Sequence, residues 1–107
     1  MKLNSKLVKI FKALSNTNRL ELFLKIRQQE EMNLETFGER KCFLNGLINT
    51  LKIGAPTISH HLKELVNAEL VETEKKGKYL ICRVNKKSLD DIQKVFSSWK
   101  EIETSVT

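Results

Sequence analysis

A chain of 107 residues with 19 Lys plus Arg against 13 Asp plus Glu, 40% hydrophobic residues, one Pro and four Gly has the balance of one ordinary globular domain, residues 1–107, with little room for a second. A chain this size buries about 60–70% of its unfolded surface, which argues against a deep catalytic cleft between two large layers and for a small binding module helped by self-association. The net charge of +6 favours an anionic partner, nucleic acid before an acidic membrane surface.

No stretch approaches the roughly 18 consecutive apolar residues of a membrane span. Lys2, Lys6, Lys9 and Lys12 interrupt what would have to be the apolar region of a signal peptide, so a cytoplasmic protein without membrane partners is expected. Cys42 and Cys82 lie far apart with no C-x-x-C spacing, which supplies neither a disulfide framework nor a self-contained zinc site.

Leu3, Leu7, Ile10, Phe11 and Leu14 form one apolar stripe of a first helix. Ser15, Asn16, Thr17 and Asn18 offer N-cap oxygens to a second, whose core face is expected at Leu20, Phe23, Leu24 and Ile26 and which fades at Gln28 and Gln29. Residues 29–40 then hold Glu30, Glu31, Glu35 and Glu39 against Arg40, with Gly38 among them. Their weak periodicity reads as a long solvated connection with at most a frayed helical turn. Leu44, Leu47, Ile48 and Leu51 start a third helix, broken at Lys52-Ile53-Gly54-Ala55 before Pro56 opens a fourth within its first turn.

The fourth helix, about Pro56 to Val66, carries the most information. Ile58, Leu62 and Leu65 share a narrow face; Thr57, His60, Lys63 and Glu64 lie roughly opposite, with Ser59 on one flank and a partly packed His61 on the other. Short hydrogen bonders, imidazole and a long cation suit the reading of base edges; the plainer reading is a polar surface helix. Next come two β-prone runs, Leu70 to Glu74 and Tyr79 to Val84, joined by Lys75-Lys76-Gly77-Lys78 as a hairpin. Lysines at such a tip either protect an edge or straddle a phosphate backbone. The expected fold is therefore mainly α with a small β-hairpin: a winged helix-turn-helix of about five helices plus a two-stranded wing. The last helix, about Leu89 to Glu103, places Leu89, Ile92, Val95, Phe96, Trp99 and Ile102 on a broad stripe. One small core cannot cover that stripe together with the first helix, so both are expected to meet across a two-fold axis.

The segments F-K-A-L-S-N-T-N-R-L-E-L-F-L and P-T-I-S-H-H-L-K-E-L-V-N-A-E-L-V-E-T-E-K-K-G-K-Y resemble the ArsR/SmtB family of bacterial and archaeal winged-helix repressors, over essentially residues 5–96. The resemblance implies a homodimer joined by its first and last helices, here Leu3, Leu7, Ile10, Leu89, Ile92, Phe96 and Trp99, that places two recognition helices on double-stranded operator DNA. It assigns DNA contact to Thr57, Ser59, His60 and Lys63, and to Lys75, Lys76 and Lys78 in the wing. It also exposes departures. Where members carry a C-x-C metal pair opening the third helix, this chain has Phe43 and Asn45, with Cys42 one step out of register. The matching positions of the last-helix metal site are Lys86, Ser88, Trp99 and Ile102, and Glu69 stands where a Gly is common.

No metal or other cofactor is therefore expected, and the effector is not readable. His60 and His61 adjoin and lack the i, i+4 spacing of a ligand pair. No phosphate loop, nucleophile elbow or carboxylate pair flanking a His suggests an enzyme. Cys82 shares strand parity with Leu80 and Val84, as a small buried hydrophobe would. Cys42, beside Arg40 and Lys41 and near a helix N-terminus, is the candidate for a reactive thiolate and a redox response, against an inert thiol. The resulting expectation is a DNA-binding transcriptional regulator, a repressor, without the usual metal ligands. The alternatives are a winged-helix protein-interaction or RNA-binding module, or a redox-responsive regulator acting through Cys42.

Overall fold

The computed structural model describes residues 2–51 and 53–106, with side chains for 5–51 and 53–99. Five helices and three strands follow in the order α1 (Lys2–Leu14), α2 (Thr17–Phe37), β1 (Cys42–Phe43), α3 (Leu44–Ile48), α4 (Ala55–Asn67), β2 (Val71–Lys76), β3 (Tyr79–Val84) and α5 (Lys86–Val106) among the described residues. None of these helices is long and apolar enough to cross a membrane.

Helix α2 differs most from expectation. Asn16 caps it, its Oδ1 accepting the Arg19 N–H at 3.0 Å, but the helix does not fade at Gln28 and Gln29. It runs 21 residues and ends where Gly38 takes the left-handed conformation, φ 73°, that a Cβ would penalise. The acidic stretch is thus mostly helix rather than a solvated connection. Its Gln, Glu, Met and Leu residues are strong helix formers, and its apolar period is hidden because the position two turns beyond Leu22 and one beyond Ile26 is Glu30. That carboxylate is almost wholly buried and accepts the Val84 N–H. The core face of α2 is Leu22, Phe23, Ile26 and Glu30, whereas Leu20 and Leu24 are exposed.

The sheet has one strand more than the wing. β1 pairs antiparallel with β3, Cys42 opposite Cys82 and Phe43 opposite Ile81, giving the order β1-β3-β2. Two residues carry no alternation to read, so only the distant partner reveals this strand. The register of β2 on β3 sets Val71 opposite Val84 and Lys76 opposite Tyr79, leaving Gly77 and Lys78 as a two-residue turn with Gly77 at φ 61°. Lys75 and Lys76 therefore belong to the strand, not to the turn.

Helices α3 and α4 enclose a tight corner. Thr50 closes α3 by donating from N and Oγ1 to the Leu47 carbonyl, and Gly54 caps α4 with Pro56 in its first turn. At the other end the N–H groups of Glu69 and Leu70 reach back to the carbonyls of Val66 and Leu65, a Schellman closure that forces Glu69 to φ 61°. Ile58, Leu62 and Leu65 pack with Ile10, Leu22, Phe23, Ile26, Leu44, Leu47, Leu70 and Val71 in one core. Each fully buried aliphatic there contributes about 1.5–3 kcal/mol. Helix α5 starts three residues before its expected Leu89, because Asn85 Oδ1 accepts the N–H groups of Lys87 and Ser88.

Candidate nucleic-acid interface

Burying Ile58, Leu62 and Leu65 fixes the rotation of α4, and Thr57, Ser59, His60 and Lys63 are consequently all exposed. His61 is turned inward and buried, more completely than a flanking position suggests. Burial, then the neighbouring Arg19 and His60 charges, lower its pKa, with Glu64 opposing. A neutral imidazole in that place packs and does not read bases. Among the described residues its Nδ1 has no hydrogen-bond partner. The outward face of α4 is left with two hydroxyls, one imidazole and one ammonium, groups able to donate to and accept from base edges.

The wing stands beside it. Lys75, Lys76 and Lys78 are exposed, and the Lys78 ammonium lies 5.9 Å from the centre of the Tyr79 ring. Tyr79 meets Phe43 edge to face at 5.9 Å, diagonal neighbours across β1 and β3. Asn45 Oδ1 accepts the Leu80 N–H, so the start of α3 is bound to the wing. Phe43 and Asn45 thus brace the sheet. Ser88 is fully buried and donates to the Glu69 carbonyl at 2.6 Å, while Lys86 is exposed; the side chain of Ile102 lies outside the described residues. Among the described residues no three His, Cys, Asp or Glu side chains converge as metal ligands.

Burial works against the thiolate argument for Cys42. Cys42 is fully buried on β1, just before the start of α3. Burial first, then Cys82 and Glu30, push its pKa up to about 12. Cys82 is equally buried and likewise pushed up to about 12, by burial and then by Glu30. Neither resting thiol is activated.

The residues expected to join two copies divide into two groups. Leu7 and Ile10 are already buried within the protomer, Ile10 completely, and Leu89 and Ile92 are half-buried against its core; Leu3's side chain lies outside the described residues. Phe96 and Trp99 are exposed by 47% and 57%. They stack edge to face at 5.2 Å, with Phe11 6.3 Å from Phe96 and also exposed. Val8 and Phe11 belong to this exposed side of α1, one position along from the buried Leu7 and Ile10. Sequence spacing placed Phe11 on the inner stripe; its rotation is settled only by how α1 meets α5. Lys6 fixes that meeting by donating to Asp91 at 2.9 Å, which holds the Asp91 carboxyl below its usual range.

Comparison with known proteins agrees with this architecture. Residues 34–73 match the family model described as "Bacterial regulatory protein, arsR family". The chain is 37% identical over 83 residues to the arsenical resistance operon repressor of Staphylococcus aureus, covering 78% of this chain and 69% of that protein. Among solved structures it is similar to an ArsR-like transcriptional regulator from Rhodococcus sp. RHA1, with TM-score 0.70 and 19% identity over 99% of this chain and 93% of that one. It is also similar to the homodimeric winged helix-turn-helix DNA-binding domain (fragment 1–100) of a possible ArsR-family regulator from Mycobacterium bovis, with TM-score 0.63 and 18% identity over 96% and 82%. At such identities the solved structures bear on the fold, and the curated relative carries the kinship: the chain belongs to the arsR family of bacterial regulatory proteins and is a winged-helix, DNA-binding transcriptional regulator.

Proposed function

We propose that the chain acts in the cytoplasm as a homodimeric repressor on a two-fold operator in double-stranded DNA, with residues 1–107 as one domain whose terminal helices join the copies. The observation that carries this reading is the outward face of α4, where Thr57, Ser59, His60 and Lys63 are exposed together beside a lysine-bearing wing. Thr57, Ser59 and His60 exchange hydrogen bonds with base edges, and Lys63 reaches a guanine or a phosphate. Lys75, Lys76 and Lys78 hold the flanking backbone by charge. Two copies related by a dyad set their recognition helices one or more helical turns apart, which calls for an inverted repeat. Phe11, Phe96 and Trp99 form the centre of the contact between copies. Their exposure as a continuous aromatic group supports this, as does the homodimeric state named for the Mycobacterium bovis domain.

The test is a mobility-shift titration against the chain's own upstream DNA at several salt concentrations. The reading requires a saturable shift on one inverted repeat, with the logarithm of affinity falling linearly against the logarithm of salt. Equal affinity for unrelated duplexes of the same length would remove the operator from it. The Staphylococcus aureus relative is named for arsenical resistance, but Phe43, Asn45 and Lys86 supply no thiolate, imidazole or carboxylate here. Stoichiometric arsenite, zinc or cadmium is therefore expected to leave the shift unchanged, and release of the DNA by any of them would contradict this assignment.

A further inference from the structure

The two cysteines of this chain, remote in sequence, are direct partners across β1 and β3. Opposed residues of an antiparallel pair project to the same face with Cα atoms about 4.5–5.5 Å apart, inside the roughly 4.4–6.8 Å span of disulfides. Both thiols are free and wholly buried. The segment between them comprises α3, α4, β2 and the wing turn, and so carries the exposed Thr57, Ser59, His60 and Lys63 together with the wing lysines. From this register we infer that Cys42 and Cys82 are an oxidisable dithiol whose cross-strand disulfide, formed with a hydroperoxide as oxidant, fastens the entrance of the helix-turn-helix to the wing.

The chemistry closes on two residues and one peroxide. One thiol sulfur attacks a peroxide oxygen and the O–O bond breaks. The departing hydroxide leaves with the thiol proton as water, and a sulfenic acid remains. The partner sulfur displaces the sulfenic oxygen, which departs with the second thiol proton as another water while the S–S bond forms. Two electrons pass from the two sulfurs to one peroxide. Access comes through β1, which has only two residues in the ladder and opens at less cost than the six-residue pair β2 and β3. Oxidation is accordingly slow, limited by that opening. This separates the pair from the exposed, low-pKa thiol of a fast sensor.

The fully reduced, intact chain is incubated with hydrogen peroxide, unfolded in an alkylating agent and weighed with and without prior reduction. The expected product is a monomeric chain lighter by two hydrogens, with neither cysteine alkylated, a Cys42–Cys82 cross-linked peptide, and full reversal by dithiothreitol. The closed segment constrains the unfolded chain, so the melting temperature should rise by about 10 °C or more. Peroxide should give Cys42→Ala and Cys82→Ala no such rise. Hydrogen exchange at the Cys42 and Phe43 amides marks when β1 has opened. Thiols still free after exchange there is complete, chains linked to one another, or sulfinic acid in place of a disulfide would each overturn the inference.

Discussion

The face of α4 with its wing and the face shared by α1 and α5 are both exposed, and they offer opposite chemistry. The first shows Thr57, Ser59, His60 and Lys63 with Lys75, Lys76 and Lys78, while its apolar side, Ile58, Leu62 and Leu65, is fully satisfied inside the protomer. The second shows Val8, Phe11, Phe96 and Trp99; its α1 half is anchored in the protomer by Leu7, Ile10 and Ala13, and its α5 half by Lys6–Asp91, Ser88–Glu69 and the half-buried Leu89 and Ile92. A polar face over a finished core suits a hydrated, charged partner whose contacts exchange with water. An aromatic face over an unfinished helix pair suits a copy of itself, because removing those rings from water is where its free energy lies. One small chain can therefore divide recognition from assembly.

The sharpest way to break that division is Trp99→Asp. A carboxylate placed among Phe11 and Phe96 would be buried unpaired in the contact between copies, a cost of several kcal/mol, equivalent to a loss of roughly 100-fold or more in dimer affinity. Sedimentation velocity at micromolar protein should find monomers that keep their helical circular dichroism. DNA affinity should fall with them, since only one half-site is then bound per particle. A dimer of unchanged strength would move the interface away from α5.

Substitutions on the polar face should leave the dimer intact and separate base reading from phosphate binding. Lys63→Ala and His60→Ala should each cost about 1–3 kcal/mol on the operator and little on unrelated DNA, if each contacts a base. Changing Lys75, Lys76 and Lys78 together to Gln should weaken binding to every sequence and reduce the salt slope, by at most about 5 for the six lysines of a dimer. An unchanged slope would place the wing off the DNA.

The buried Glu30 tests why α2 was hard to read. Burial, outweighing the Val84 N–H and the charges of Arg27, Arg40 and Arg83, holds its carboxyl above the ordinary 4.5. Such a group binds its proton more tightly folded than unfolded. Its contribution to stability is complete below the unfolded pKa and is lost as pH rises from there through the folded value. Glu30→Gln keeps an oxygen for Val84 and removes the ionisation, so it should stabilise the protein by about 1 kcal/mol at neutral pH. Urea midpoints of wild type and variant should differ more at about pH 7 than at about pH 4. A variant less stable at both would make the carboxylate itself, through its three arginines, the preferred form.

Legibility in the sequence tracked how local each signal was. The α4 face and the corner at Gly54 rest on spacings of a few residues, and the expected positions agree with the structure; the turn at Gly77 was found too, but two residues too wide, since Lys75 and Lys76 are strand. The back half of α2 was misread because a buried Glu is rare and Glu30 interrupts the only stripe that would mark the helix, although the propensities of its neighbours favoured one. Cys42 was misplaced because β1 exists only through β3, a partner about forty residues away that no local pattern announces. The burial of Ile10 and the exposure of Phe11 depend on the docking of α1 against α5, which periodicity leaves open by one position.

The smallest effect concerns the junction that joins α4 to the wing. Glu69 follows the α4 C-cap at φ 61°, where a side chain costs about 1–2 kcal/mol and glycine none. Glycine returns part of that as extra freedom in the unfolded chain, about 0.5–1 kcal/mol, so Glu69→Gly should stabilise the domain by about 0.5–1 kcal/mol net. Among the described residues Glu69 makes its hydrogen bonds through the backbone: its N–H closes the Schellman turn on Val66 and its carbonyl accepts Ser88 Oγ, and both contacts survive in glycine. The direction of α4 relative to β2 should therefore be unchanged, and with it operator affinity, which makes this variant a control for the DNA-binding variants above. A rise in thermal midpoint with an unaltered mobility shift is the expected pair of results. If Glu69→Gly lowered the midpoint, the exposed carboxylate would have to be making a favourable interaction larger than its backbone strain; if it altered DNA binding at constant fold, the junction would be a hinge, and recognition would depend on the angle between helix and wing as well as on the side chains they present.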